Sequence, residues 1–230
     1  MTTLAIESRH SRHVEHCMGT VFTIDIRDAG SWDDAISDAI AWLHSVDRVF
    51  STYRPHSDIC RIQRGELAVD DADARVAEVL DLCADLTHST GGFFTALPHG
   101  QLDPTGLVKG WAIEGASDIL RAHGSHHHAV NGGGDMQLAG ERGRGLPWRI
   151  GISDPFDKTR VLSTLSGRDL AVATSGVAER GRHRDGLGGH SLAGDSARLR
   201  GPGRRHGRRG HDDNRLAILI GATTSLALNR

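Results

Sequence analysis

Residues 102–115 read LDPTGLVKGWAIEG, and their chemistry sets how the rest of the chain is arranged. Asp103-Pro104-Thr105-Gly106 is a turn, because Pro presets φ and Gly accepts conformations that other residues resist. Beyond it, Trp111, Ala112, Ile113, Ala116, Ile119 and Leu120 recur at helical spacing. A carboxylate, a tight turn and Lys109 are thus packed into the first turns of one helix. Such a helix start presents unpaired N–H groups and a positive dipole end, which suits phosphate. Taken alone, the stretch fits a capped helix with a surface lysine equally well.

Working outward, Met18-Gly19-Thr20 leads into Val21–Ile26, where Phe22, Ile24 and Ile26 alternate with polar residues as in a half-buried strand. Ser31 and Asp34 have the spacing of an acidic capping box. It would open a helix to about Phe50 with Ile36, Ile40, Leu43, Val46 and Val49 inward. Residues 50–65 mix Pro, Ser and Arg around Tyr53, the chain's single tyrosine, and read as a loop with a short turn. A second helix spans about 73–89, with Val76, Val79, Leu80, Cys83 and Leu86 inward. It closes on Gly91-Gly92. After the central motif, Ala129–Asn131 is a strand running into Gly132-Gly133-Gly134-Asp135, followed by Met136–Leu138. Further short strands are read at 148–152, 161–165 and 169–173, the last ending on Thr174-Ser175-Gly176. Helices early and short strands late, without regular βαβ alternation, predict an α+β fold.

The 230 residues allow one large domain or two small ones, and 38% hydrophobic residues with a net charge of -2 exclude neither. Cys17, Cys60 and Cys83 lack CxxC spacing, which favours a reducing compartment and no zinc site. The first residues carry no apolar run of signal length, and no stretch is long enough to span a membrane; a cytoplasmic protein is expected. His126-His127-His128 reads as an exposed loop, since adjacent histidines point different ways. From about Arg182 to Arg215, Gly, Arg and His dominate and apolar periodicity is lost, so this tail is expected to be disordered. Leu216–Gly221 is a brief apolar run with no evident partner. The tail also lacks interleaved aromatics, so nucleic-acid binding is not expected.

Four ordered motifs stand out: Met18-Gly19-Thr20; Ser51-Thr52-Tyr53 with Ser57 and Arg61; residues 102–115; and Asn131–Asp135 followed by Ala173-Thr174-Ser175-Gly176. Together, from about Val14 to His183, they resemble the ApbE family of FAD:protein FMN transferases. The resemblance implies an α+β ApbE-like domain over residues 1–183 that binds FAD as substrate with Mg²⁺. It implies transfer of the FMN half to a threonine hydroxyl of a partner flavoprotein, with release of AMP. Met18 and Tyr53 match positions lining the FAD site, and Asp103 and Lys109 match positions contacting FAD. Gly106 matches the residue whose carbonyl meets the metal. Asn131, Gly133, Asp135, Thr174 and Ser175 fall in segments that approach the cofactor. No catalytic residue is assigned.

The chain departs from the family at Thr95, where Asp is usual, and at Gln63, where Asn is common. Residues 184–230 lack the family's His-Ile-x-Asp-Pro-x-Thr-Gly segment and the later metal carboxylates. Their Arg- and Gly-rich composition is what a shifted reading frame in GC-rich DNA would produce. Two alternatives therefore accompany the transferase reading: a catalytically impaired FAD-binding remnant, and an FAD pyrophosphatase yielding FMN and AMP.

Overall fold

A computed structural model describes residues 10–154, 157, 159–175, 216–221 and 225–228. The chain opens with a hairpin of β1 (Ser11–Cys17) and β2 (Thr20–Ile26), followed by α1 (Asp33–Phe50), a short α2 (Asp58–Gln63) and α3 (Ala74–Ser89). The central motif forms α4 (Thr105–Ala122). Strands β3 (His128–Gly132), β4 (Asp135–Ala139), β5 (Trp148–Ser153), β6 (Val161–Gly167), β7 (Leu170–Ser175), β8 (Leu216–Gly221) and β9 (Ser225–Leu228) complete the described part. Six strands form one sheet in the order β1-β2-β3-β4-β7-β8, and three form a second in the order β6-β5-β9. The α+β expectation holds.

The large sheet is apolar on both faces, and each face has its own cover. Phe22, Ile24, Ile26 and Val130 pack against Ala39, Leu43, Val46 and Phe50 of α1 and Val108, Ala112, Ala116 and Leu120 of α4. On the opposite face, Ala129, Met136, Leu138, Leu170 and Val172 meet Trp148 and Ile150 of β5. Buried Trp148 satisfies its indole by donating Nε1–H to the Ala139 carbonyl at 3.0 Å. Helices α1 and α4 cross closely where Trp42 packs on Trp111, with ring centroids 5.1 Å apart. There Gly115 is required by contact, because a Cβ would lie 2.6 Å from the Trp42 ring.

Several expectations are corrected. The N-terminal strand β1 escapes a hydrophobic-pattern reading because polar residues occupy both its faces. Ser31 does not open a capping box: its Oγ donates to the Asp33 carboxylate at 3.1 Å, while Trp32 occupies the N-cap with no side-chain bond. Two first-turn aspartates supply the favourable dipole interaction instead. The inward stripe of α1 keeps Leu43 and Val46 and is wider than expected: Ala35, Ala39 and Phe50 are buried as well, while Ile36, Ile40 and Val49 pack at its partly buried margin. Ser57 turns the expected loop into the short α2: its Oγ accepts from Cys60 N at 3.1 Å and donates to the Ser51 carbonyl at 2.6 Å.

His128 is fully buried on β3 rather than in an exposed loop, held by Ser117 at 2.8 Å and Ser125 at 2.9 Å. Exposed His126 lies before β3 begins, in the connection from α4. Leu216–Gly221 does have a partner: it runs parallel to β7 from Leu170↔Leu216 to Ser175↔Gly221. Residues 225–228 lie antiparallel to β5. An apolar six-residue run and an open strand edge satisfy each other's backbone groups, a pairing invisible in local sequence. Most of the tail expected to be disordered lies outside the described residues. No described helix is long and apolar enough to cross a membrane.

Candidate functional site

Two hairpin turns and the C-terminal end of β7 come together at one end of the large sheet. Met18 (φ 51°) and Gly19 (φ 66°) close the β1–β2 hairpin, and Gly133 (φ 59°) and Gly134 (φ 95°) close β3–β4. Two-residue turns of this kind need positive φ at both positions, since only then does their twist match the strands. Met18 reaches that conformation with a side chain, at a cost on the order of 1–2 kcal/mol. Strain of this sort clusters at ligand sites. The turns touch: Gly133 N–H donates to the Val21 carbonyl at 3.3 Å, and a Cβ on Gly133 would lie 2.6 Å from Thr20 Oγ1. A Cβ on Gly134 would lie 2.7 Å from Thr174 Oγ1.

Asp135, the first residue of β4, organises the cluster. Its Oδ2 lies 2.9 Å from Lys109 Nζ, with both side chains largely buried. Its Oδ1 accepts from Thr174 N at 2.7 Å and from Thr174 Oγ1 at 3.2 Å. Asn131 fixes the glycine turn, its Oδ1 accepting from Gly134 N at 3.1 Å. Lys109, Asn131, Gly133, Asp135 and Thr174, drawn from α4, β3, β4 and β7, therefore share one site. Ser175 ends β7 beside Thr174, opposite Gly221 of β8.

Asp103 and Gly106 stand at the start of the helix that carries Lys109. Asp103 Oδ1 accepts from Thr105 N at 3.0 Å and from Thr105 Oγ1 at 2.6 Å, so it organises the first turn of α4. Gly106 has a packing reason that the sequence did not reveal: a Cβ there would sit 3.1 Å from the Phe94 ring. Tyr53 is 82% exposed, a free ring rather than a packed one. Beside it, Arg54 pairs with buried Asp47 at 2.6 Å. Both charges act on Cys17, whose thiol is pushed up to about 11, chiefly by burial and then by Asp47. Sequence reading passed over Thr20, Gly134 and the Asp47–Arg54 pair. The first two lay within quoted motifs, whereas the pair has no local signature.

The turn N–H groups are spent on Val21 and Asn131, so what the cluster offers an anion such as a diphosphate is the Lys109 ammonium and the neighbouring threonine hydroxyls. Mg²⁺, which the family resemblance implies, asks for near-octahedral oxygen ligands. The described residues do not fit it. Among them no group of three or more His, Cys, Asp or Glu could hold a metal ion. Both oxygens of Asp135 are already engaged, as is Oδ1 of Asp103.

The ApbE family profile matches residues 18–98 and 95–192. A 92-residue segment is 33% identical to the FAD:protein FMN transferase of Vibrio cholerae serotype O1, covering 40% of this chain and 28% of that protein. The FAD:protein FMN transferase of Rhodobacter capsulatus is 34% identical over 119 residues, 50% of this chain and 23% of that one. That of Treponema pallidum is 30% identical over 143 residues, 54% and 39% respectively. The chain thus spans between 23% and 39% of the length of these relatives. In structure, the ApbE protein of Thermotoga maritima superposes with a TM-score of 0.66 at 18% identity, over 75% of this chain and 72% of that one. The flavin transferase ApbE of Vibrio cholerae gives 0.64 at 20%, over 78% and 74%. These likenesses establish a shared fold. With the family profile running across residues 18–192, the chain belongs to the ApbE family.

Proposed function

We propose that this chain binds FAD at the Lys109–Asp135–Thr174 cluster and acts as an FAD:protein FMN transferase. The observation that carries this reading is the placement of the Lys109 ammonium, through Asp135, beside the Gly133–Gly134 turn at the sheet end. Lys109 neutralises diphosphate charge by exchanging part of its contact with Asp135 for phosphate oxygens. Thr174 likewise turns its hydroxyl from Asp135 to a phosphate oxygen, and Ser175, next along β7, extends that row. Asp103 accepts from a flavin or ribose donor while holding the start of α4. Met18 and the exposed Tyr53 ring supply the apolar and stacking surface that a flavin needs.

In the reaction, the acceptor threonine oxygen forms a bond to the phosphorus of the FMN half. The P–O bond to the AMP half breaks, the hydroxyl proton is lost, and AMP departs. Mg²⁺, when bound, would offset charge on the phosphate oxygens. The Gly106 carbonyl is the oxygen that the family resemblance assigns to it. One carbonyl does not hold Mg²⁺, so that assignment requires carboxylates from outside the described residues. This shortage favours a second reading, an FAD-binding protein with little or no transferase activity. Hydrolysis of FAD to FMN and AMP is the same chemistry with water in place of threonine.

Incubating the chain with FAD, Mg²⁺ and a flavin-acceptor domain separates the readings. A fluorescent acceptor band on a denaturing gel means transfer, and AMP release without that band means hydrolysis. Retained FAD with neither product means binding alone.

A further inference from the structure

Strand β1 forms an outer edge of the large sheet and, among the described residues, pairs only with β2. Edge strands usually carry a block to further pairing, such as proline, lysine or a bulge. Ser11–Cys17 contains neither proline nor lysine, and its register with β2 is unbroken over all seven positions. Helix α1 does not close over the edge, because an open groove of about 550 Å³, lined by His10, Ser11, Arg12, His13, Ile36 and Ile40, separates it from the start of β1.

The order of residues along this edge is self-complementary. In an antiparallel pairing with a second copy, centred on Val14, His13 of each copy faces Glu15 of the other. Val14, 51% exposed, faces itself. His13 and Glu15 project from the α1 side of the sheet, where Glu15 already binds His44 at 3.0 Å and His13 at 3.2 Å. These contacts hold the Glu15 carboxyl below the usual range, His13 contributing most. The pairing therefore brings each carboxylate a third imidazole. On the other face Arg12 meets His16, with Asp25 of β2 beside Arg12.

We propose that β1 is a homodimer interface, in which two copies of this chain join their large sheets edge to edge about a two-fold axis through Val14. An imidazole and a carboxylate directly across an antiparallel pair can hydrogen-bond, and the symmetry supplies the favourable pair twice. A single seven-residue edge buries less than the roughly 1,000 Å² of a firm interface, so the dimer dissociates on dilution.

Sedimentation of the full chain over a concentration series tests this. A monomer–dimer equilibrium is expected, shifted to monomer by Val14→Lys, with the circular dichroism spectrum unchanged because Val14 is exposed. His13→Glu, which sets two carboxylates face to face, also gives monomer. Adding Glu15→His to that variant restores complementarity and the dimer. Val14→Cys yields a disulfide-linked dimer on oxidation, its symmetric partners lying within bridging distance. A chain that stays monomeric at every concentration overturns the proposal. So does a dimer that survives both Val14→Lys and His13→Glu, since it must use another surface.

Discussion

Lys109 of α4 and Asp135 of β4 meet at 2.9 Å between Nζ and Oδ2, and this ion pair ties the central helix to the glycine turn of the sheet. On the proposed reading a diphosphate would compete with Asp135 for Lys109. Lys109→Ala is accordingly expected to weaken FAD binding by about tenfold or more, a charge-assisted hydrogen bond contributing roughly 1.5–3 kcal/mol. Riboflavin, which lacks the diphosphate, is affected far less. Fluorescence titration with both ligands checks this, and equal losses would make the lysine structural.

Gly134 and Gly19 both have positive φ, but their surroundings differ. A Cβ on Gly134 meets Thr174 Oγ1 at 2.7 Å, whereas none of the surrounding atoms lies within 4 Å of one on Gly19. Gly19→Ala therefore incurs the backbone term alone, about 1 kcal/mol. Gly134→Ala adds a steric term and pushes Thr174 off Asp135, for a total on the order of 2–4 kcal/mol. Paired thermal melts separate the two; equal shifts would show that Thr174 yields freely.

His128 links stability to pH. Burial, with a smaller push from Arg121, lowers its pKa from 6.5 to about 4. The unfolded chain therefore binds the proton more readily than the folded one between those values, and stability rises with pH across that window. The contribution is fully present above about 6.5 and is lost as pH falls through about 4, amounting to roughly 3 kcal/mol at 1.36 kcal/mol per unit. His128→Gln, an uncharged hydrogen-bonding substitute, flattens that slope. Urea unfolding at pH 4.5 and 7 for both proteins measures it, and parallel slopes would remove His128 as the cause.

Removing the residues after 183 tests the pairing of β7 with β8. Because Leu216–Gly221 lies along β7 and Ser225–Leu228 along β5, truncation opens two strand edges. Strand content by far-ultraviolet circular dichroism and the melting temperature both fall. An unchanged spectrum and melt would return the tail to the unstructured character that its composition suggests.

Composition and periodicity alone located α3 and α4, the alternating strand β2 and the glycine turn at 133–134. Each is a local property: apolar spacing, a glycine stop, residues tolerant of positive φ. The family resemblance was legible for the same reason, since its motifs are short segments whose order survives in the sequence. Contacts between distant segments were not legible. Asp135 finds Lys109, Thr174 finds Asp135, and Trp42 leaves room only for a glycine at 115, because the sheet and helices bring those positions together. Whether His128 is exposed or buried depends on its place in β3 under α4, where Ser117 of the helix and the nearby Ser125 meet its two ring nitrogens. Likewise the apolar run at 216–221 gains its meaning only from the open edge of β7. Local chemistry determined which elements form; the requirement that buried polar and backbone groups find partners, met only in three dimensions, decided where they stand.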